Sequence, residues 1–168
     1  LTPSTGYYLS SISCTNGYTV TATTGTSATA AQTITIKNNS KVTNSTCTAT
    51  MAKRSFTATI TGGNTTYSKT SLSIQYNGSG TIEVTPNTGG YYLGAASCTN
   101  GYTITGGTYG KGNTSKQTLT INNNGSLQDT TCTITSVHAY NTTYTGSNVT
   151  FSSSTGALAY GGTTTVTL

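Results

Sequence analysis

The sequence predicts an all-β protein of tandem, small modules of about 84 residues, β-sandwich or β-grasp-like, with antiparallel sheets and one disulfide per repeat. Composition, local alternation and a long internal repeat support this prediction. Threonine and serine supply 44 and 20 of the 168 residues, whereas charged residues make up only 5%. Threonine and tyrosine favour strands. Because a net charge of +5 gives little self-repulsion, we expect a folded β-protein rather than a disordered chain.

Alternation of threonine with small apolar residues predicts each strand in turn. Threonine occupies one face and the apolar residue the other, which is the period of a half-buried strand. Asn-Gly pairs, as at Asn16-Gly17 and Asn100-Gly101, are expected to form tight hairpin turns. In the first unit the expected strands are residues 7–14, 18–23, 31–37, 46–51, 55–61, 71–76 and 80–84, followed by their counterparts one unit later.

The chain repeats itself in one register. The segment TPSTGYYLSSISCTNGYT from Thr2 returns as TPNTGGYYLGAASCTNGYT from Thr85, and QTITIKNNSKVTNSTCTAT from Gln32 returns as QTLTINNNGSLQDTTCTIT from Gln117. The offset between matching positions stays nearly constant along the chain. Such self-similarity is typical of a tandem array. The sequence therefore predicts two repeat units, residues 1–84 and residues 85–168.

Four cysteines, Cys14, Cys47, Cys98 and Cys132, fit the repeat. Their spacing contains no C-x-x-C pair, which argues against a zinc site and for disulfides. Only Cys14 with Cys47 and Cys98 with Cys132 gives each unit the same self-contained bridge. Disulfides persist in oxidising environments, so we expect an extracellular or cell-surface, secreted protein.

Catalytic chemistry has few candidate residues in this chain. Glu83 and Asp129 are its two acids and His138 is its one histidine, and no nucleophile motif surrounds any serine. We therefore expect no enzyme activity, no metal and no cofactor. The basic residues form no cluster larger than the pair Lys53-Arg54, which predicts no nucleic-acid partner. No apolar run is long enough to span a bilayer, which predicts no membrane insertion.

The segments FTATITGG, YNGSGTIEVTPNTGGYYLGAASCTNGYT, QTLTINNN and TTCTIT together resemble the divergent InlB B-repeat-like modules, which are Gly-Tyr-rich. Such modules occur in tandem on bacterial surface proteins and in related phage or filament proteins. The resemblance implies a different phase for the unit: a complete module at 53–136, the C-terminal part of a module at 1–52, and the N-terminal part of a module at 137–168. The tail of one copy could then be completed by the head of the next, a contact that does not close.

Surface contacts and modification sites complete the candidates. Tyr109 and Tyr144 have no aromatic counterpart in the other unit, so these two, with Lys53 and Arg54, are candidate surface-contact residues. Asn-x-Ser/Thr sequons, the candidate glycosylation sites, occur at Asn38, Asn44, Asn64, Asn77, Asn113, Asn124, Asn141 and Asn148.

The sequence thus predicts a non-catalytic extracellular structural repeat, a stalk or filament element of a surface protein, adhesive appendage or phage fibre. Its expected partners are copies of itself or adjacent repeats, joined head to tail by strand complementation. The alternative is an adhesin module that binds glycans or a host surface.

Overall fold

The computed structural model describes residues 1–110, 113–159 and 163–168, which form thirteen strands and no helix. No described helix could therefore cross a membrane. The all-β prediction is confirmed, and most expected strands are present with shifted ends. The strands are β1 (Tyr7–Cys14), β2 (Thr19–Thr21), β3 (Thr35–Lys37), β4 (Cys47–Lys53), β5 (Ser55–Thr61), β6 (Thr65–Tyr67), β7 (Ser71–Gln75), β8 (Ser79–Pro86), β9 (Tyr91–Cys98), β10 (Thr103–Gly106), β11 (Gln117–Asn122), β12 (Thr130–Thr143) and β13 (Thr155–Ala159).

The central strands β5 to β12 form two sheets that share one hydrophobic core. One sheet has the order β10-β11-β8-β6, and the other joins β9 and β5 to opposite sides of β12, with β7 beyond β5. Alternate residues of these strands point inward, as the burial of Phe56, Ala58 and Ile60 along β5 illustrates. The buried cluster consists of Phe56, Ala58, Ile60, Ile74, Ile82, Val84, Leu93, Tyr102, Leu119, Ile121, Cys132 and Ile134. Every member lies between residues 56 and 134.

Strand β12 is longer than the alternation predicts. Two strands were expected around residues 131–136 and 139–145, but Thr130–Thr143 is one continuous strand. Its first part pairs antiparallel with β9 and parallel with β5, through Thr130 to Thr133 against Ala58 to Thr61. Its second part pairs antiparallel with β13. The sheets are antiparallel apart from the β5–β12 pair, whose two strands are far apart in the chain.

The Asn-Gly turns do not form hairpins, contrary to the sequence prediction. Asn16 and Asn100 have the expected left-handed backbone, with φ of 57° and 54°. The turn at Asn100, however, leads from β9 in one sheet to β10 in the other. Asn16 likewise connects β1 to β2, which pair with β4 and β3 respectively. The tight turn reverses the chain, but each strand pairs with a partner more distant in sequence.

Further strands precede and follow the central ones in the chain. At the N-terminal side, β1 pairs with β4 and β2 pairs with β3. At the C-terminal side, β13 pairs with the second part of β12, and residues 163–168 have no regular secondary structure. A strand was expected at 164–168 as the counterpart of 80–84. The strand at 80–84 lies within β8, between β11 and β6, whereas no described strand pairs with 163–168. Tyr160, the last residue of the strand expected at 155–160, lies outside the described residues.

The unequal burial of matched positions can be tested with one pair of substitutions. Ile121 is fully buried, whereas Ile36, the residue that aligns with it in the sequence, is 50% exposed. Ile121→Ala should lower the free energy of unfolding by about 2–5 kcal/mol, and Ile36→Ala should lower it by clearly less, because only the first leaves a cavity. Urea denaturation of dilute protein measures both, and equal losses would contradict the core described here.

Candidate assembly surfaces

The two disulfides each join directly opposed residues of an antiparallel strand pair. Cys14 in β1 faces Cys47 in β4, and Cys98 in β9 faces Cys132 in β12. Both bridges are formed, as Cys14–Cys47 and Cys98–Cys132, the two pairs that the duplicated sequence predicts. Disulfides of this kind indicate an oxidising environment. Each one fixes the register of a strand pair that closes a long loop.

A buried tyrosine organises the loop that leads into β12. The Tyr102 hydroxyl donates to the Gln128 carbonyl at 3.1 Å and accepts from Asn123 Nδ2 at 2.8 Å. Burial raises the pKa of the Tyr102 phenol, and the negative charge of Asp129 raises it further. Tyr18 makes the same pair of bonds, with the Thr43 carbonyl and Asn38 Nδ2.

Other polar contacts are also present twice. Gln117 holds Thr108 through both backbone groups, its amide accepting from N and donating to O. Gln32 makes the same two bonds to Thr23, at 2.8 and 2.9 Å. Further matched contacts are Asn16 and Asn100 to the carbonyls of Asn44 and Asp129, and Asn39 and Asn124 to the carbonyls of Gly17 and Gly101. Residues 1–52 therefore share the local hydrogen bonding of residues 85–136.

The strands β3 and β4 expose apolar positions whose counterparts are buried. Ile36 on β3 is 50% exposed, and its counterpart Ile121 is fully buried against β8. Ala49 on β4 is exposed, and its counterpart Ile134 is fully buried. Three further residues are half-buried where the central core buries the counterpart: Tyr18, Ile34 and Cys47, against Tyr102, Leu119 and Cys132. We call the surface of β3 and β4 the head surface.

The C-terminal segment has the complementary excess of exposure. Leu168 is 81% exposed, whereas its counterpart Val84 is fully buried. Tyr140 is 50% exposed, whereas its counterpart Phe56 is 6% exposed. Thr142, Tyr144, Leu158 and Val166 are half-buried, and their counterparts Ala58, Ile60, Ile74 and Ile82 are buried. We call the surface formed by residues 140–168 the tail surface.

Strand edges are also open at both surfaces; on the tail surface, residues 140–143 of β12 pair with β13 alone among the described strands. Within the described residues, β4 pairs with β1 alone and β3 pairs with β2 alone. Their counterparts β12 and β11 each have a second neighbour, β5 and β8 respectively. Unpaired strand edges and exposed apolar residues occur on the same elements. This is what a sheet shows where a neighbouring strand is missing. Sequence reasoning did not single out Ile36, Tyr140 or Leu168, although aligning each residue with its buried counterpart would have found them.

The candidate contact residues lie on separate elements and are only partly available. Tyr109, 39% exposed, lies between β10 and β11, and burial raises the pKa of its phenol. Tyr144 follows β12 and its ring packs 6.0 Å from Phe151. Lys53 ends β4, and the guanidinium of Arg54 lies 5.0 Å above the Phe56 ring, a cation–π contact. These contacts give Arg54 and Tyr144 roles within the fold.

Most of the sequon asparagines are exposed. Asn38 and Asn124 use Nδ2, the atom that a glycan would occupy, to bond neighbouring groups, and Asn113 is half-buried with Nδ2 on the Gly110 carbonyl. A glycan would replace one of the two hydrogens on Nδ2, so Asn38 and Asn124 would each lose one of their two bonds. The other sequon asparagines are exposed: Asn44, Asn64, Asn77, Asn141 and Asn148.

The two acids and the histidine have structural contacts. Asp129 accepts the backbone N–H of Thr57 at 2.7 Å, which ties β5 to the start of β12. Glu83 forms an exposed ion pair with Lys116 at 2.8 Å. His138 is buried on β12 and stacks on Tyr91, with ring centroids 4.6 Å apart. Across the described ranges, no three His, Cys, Asp or Glu residues are grouped as metal ligands would be.

Comparison of the chain with protein-family models, with curated proteins and with solved structures gave no match. The resemblance to InlB B-repeat-like modules therefore stays a prediction.

Alkaline pH tests the buried tyrosine. Burial disfavours the phenolate, so the pKa of Tyr102 is higher in the folded chain than its ordinary value of 10.0. Above pH 10 the unfolded chain therefore loses this proton first, and stability falls as pH rises through the folded pKa. Tyr102→Phe should reduce that alkaline loss, as measured by urea denaturation between pH 8 and 11. Tyr18→Phe is the matched control, and an identical pH dependence in wild type and Tyr102→Phe would contradict the assignment.

Removal of the central disulfide should be costly. In the chain-entropy picture, losing the 34-residue link from Cys98 to Cys132 destabilises the fold by roughly 3–4 kcal/mol. The double variant Cys98→Ser, Cys132→Ser should therefore unfold at clearly lower urea concentration. The pair Cys14→Ser, Cys47→Ser should affect the core transition less, because it lies outside the buried cluster. If both double variants lowered the unfolding midpoint by the same small amount, the two disulfides would not differ in their contribution to the core.

Proposed function

We propose that this chain is a non-catalytic, extracellular structural repeat, a stalk or filament element of a surface protein, adhesive appendage or phage fibre. Its unit is a two-sheet module in the phase 53–136, preceded by a C-terminal part at 1–52 and followed by an N-terminal part at 137–168. Two observations support this phase: the buried cluster lies within residues 56–134, and the hydrogen bonding of 85–136 is repeated in 1–52.

The parallel pairing of β5 with β12 carries the proposal. These are the first and last strands of the proposed module, and they lie side by side through Ala58 to Thr61 and Thr130 to Thr133. A force that pulls the two ends of the module apart would slide these strands along each other. The hydrogen bonds of the pair would then be loaded together rather than one after another. This arrangement suits a module that transmits tension.

Two further contacts strengthen the parallel pair of β5 with β12. The Asp129 carboxylate accepts the Thr57 N–H, and such charge-assisted bonds are stronger than neutral ones. The Cys98–Cys132 bridge joins the start of β12 to β9, so residues 98–132 would not extend even if the strands separated. Because β12 continues from the β5 pair into the β13 pair, tension would pass to the next unit without a linker.

The oxidising environment implied by the disulfides fits an exported protein. The low charge of the chain also fits an extracellular structural protein. The described ion pair, Lys116 with Glu83, lies on the surface, and such pairs contribute only about 0–1 kcal/mol to stability. The fold therefore depends little on ionic strength.

A glycan-binding adhesin module is the second candidate. A shallow concavity of about 220 Å³ is lined by Thr23, Ser27, Ala28, Ala30, Ala31 and Gln32. Its hydroxyl and amide groups are of the kind that bind sugars. Gln32, however, already bonds Thr23 with both amide atoms, so the concavity has less free hydrogen-bonding capacity than its composition implies.

Single-molecule pulling tests the mechanical role. We expect Asp129→Ala to lower the force at which the central module unfolds, because the carboxylate ties β5 to β12. Glu83→Ala, which removes the other acid, is the matched control and should leave the force unchanged. Reduction of the disulfides should lengthen the extension released by the central module by about 12 nm, the contour of 34 residues. Equal unfolding forces for the wild type, Asp129→Ala and Glu83→Ala, all low, would contradict the proposal.

Imaging and binding separate the two candidate functions. Negative-stain images of concentrated protein should show regular fibres if the chain is a filament element. Dispersed monomers that bind a glycan array would instead support the adhesin candidate and reject the first.

A further inference from the structure

We propose that the head surface of one copy is completed by the tail surface of a second copy, in the register that the central module uses within one chain. This inference rests on the proposed function and specifies the partner. Within the chain, residues 53–136 combine four strands of the tail type, β5 to β8, with four of the head type, β9 to β12. The head and tail surfaces are the same two halves, separated in one molecule and available to meet between molecules.

The first contact would be a parallel strand pair. In the central module, Thr133 of β12 lies opposite Thr61 of β5, and their hydroxyl oxygens are 3.3 Å apart. The counterparts are Thr48 on the head surface and Thr145 on the tail surface, and both are exposed. The register therefore places residues 45–48 of one copy beside residues 142–145 of the other.

The second contact would give residues 163–167 the strand conformation of β8. In the central module, Ile121 lies opposite Gly80, and Gln117 lies opposite Val84. In the same register, Ile36 would lie opposite Thr164 of the second copy. Leu1 already exchanges backbone hydrogen bonds with Gln32, in the place that Val84 takes beside Gln117. The incoming strand would therefore run along β3 and end beside Leu1.

The tail surface already contains two of the hydrogen bonds that hold β8 in the central module. Ser152 donates its N–H to the Thr167 carbonyl, and the Ser152 hydroxyl accepts from the Thr167 N–H. Ser68 and Glu83 make the same two bonds in the central module. Residues near 167 thus have the position relative to Ser152 that β8 has relative to Ser68, although they lack a strand partner among the described residues. Association would add that partner and keep the two bonds between Ser152 and Thr167.

Burial explains why the two surfaces would select each other. Ile36 and Tyr140 are at least half exposed in one chain, and the core buries each of their counterparts, Ile121 and Phe56. Val42, by contrast, is fully exposed, and its counterpart Leu127 is also exposed at 42% in the complete module. Exposure at Val42 is therefore a property of the module, whereas exposure at Ile36 marks a missing neighbour.

Disulfide trapping tests the register on the full chain. The double variant Thr48→Cys, Thr145→Cys should form a ladder of covalent oligomers under mild oxidation, joined through positions 48 and 145 in the peptide map. Thr61→Cys, Thr133→Cys is the positive control and should close within one chain. Thr50→Cys, Thr145→Cys is shifted by two positions, which places the Cα atoms about 8 Å apart, and should not form the ladder.

A charge at the interface provides an independent test. Ile36→Asp should abolish assembly seen by sedimentation at a concentration where the wild type assembles, because the carboxylate would be buried in the completed core. Val42→Asp is the matched control and should assemble normally. Circular dichroism of both variants at low concentration checks that the single chain is folded. If either variant is unfolded, the disulfide trapping experiment alone decides whether the register is correct.

The outcomes distinguish this inference from the function on which it rests. Fibres without the 48–145 link, or a 48–145 link formed within a monomer, would overturn the register and leave the structural role intact. Monomers at all concentrations, with no link and no fibres, would overturn both.

Discussion

Strand β12 is the element on which the rest of the structure depends. Through one backbone it pairs with β9, β5 and β13, and it contributes Cys132 and Ile134, both fully buried, to the core. Its disulfide to β9 and the Asp129 bond to β5 fix its register on both sides. A protein with so few large aliphatic residues has little apolar area to specify one arrangement, so covalent and polar contacts at this strand supply much of the specificity.

The polar network compensates for the thin core in a second way. Buried hydroxyl and amide groups destabilise a fold unless each finds a partner. Tyr102 and Asn123 satisfy each other and bond neighbouring carbonyls, which orders the loop before β12 without any charge. That the same bonds surround Tyr18 indicates that this loop is a local unit, formed even where the surrounding core is uncovered.

The sequence predicted local features and pairings constrained by the repeat. Alternation located most strands, Tyr7–Cys14 to the residue, and the duplicated cysteines predicted both bridges. It did not predict the parallel β5–β12 pair, because contacts between strands so distant in the chain depend on tertiary packing and not on local pattern. The hairpin prediction was wrong for the same reason. Asn100-Gly101 specifies a chain reversal, but tertiary packing determines which strands pair. The uncovered residues Ile36 and Leu168 were also missed, since an apolar residue at an alternating position has the same pattern whether or not a neighbour covers it.

The two open surfaces differ in kind. One presents strands that end modules and the other presents strands that begin them, so neither can pair with itself in the way the central module pairs its halves. If copies associate as proposed, a chain of such contacts would have a direction, with a head surface free at one end and a tail surface free at the other. Growth at either end would expose the same surface that the previous copy exposed there, and a molecule that resembles only one half could terminate one end and leave the other able to grow.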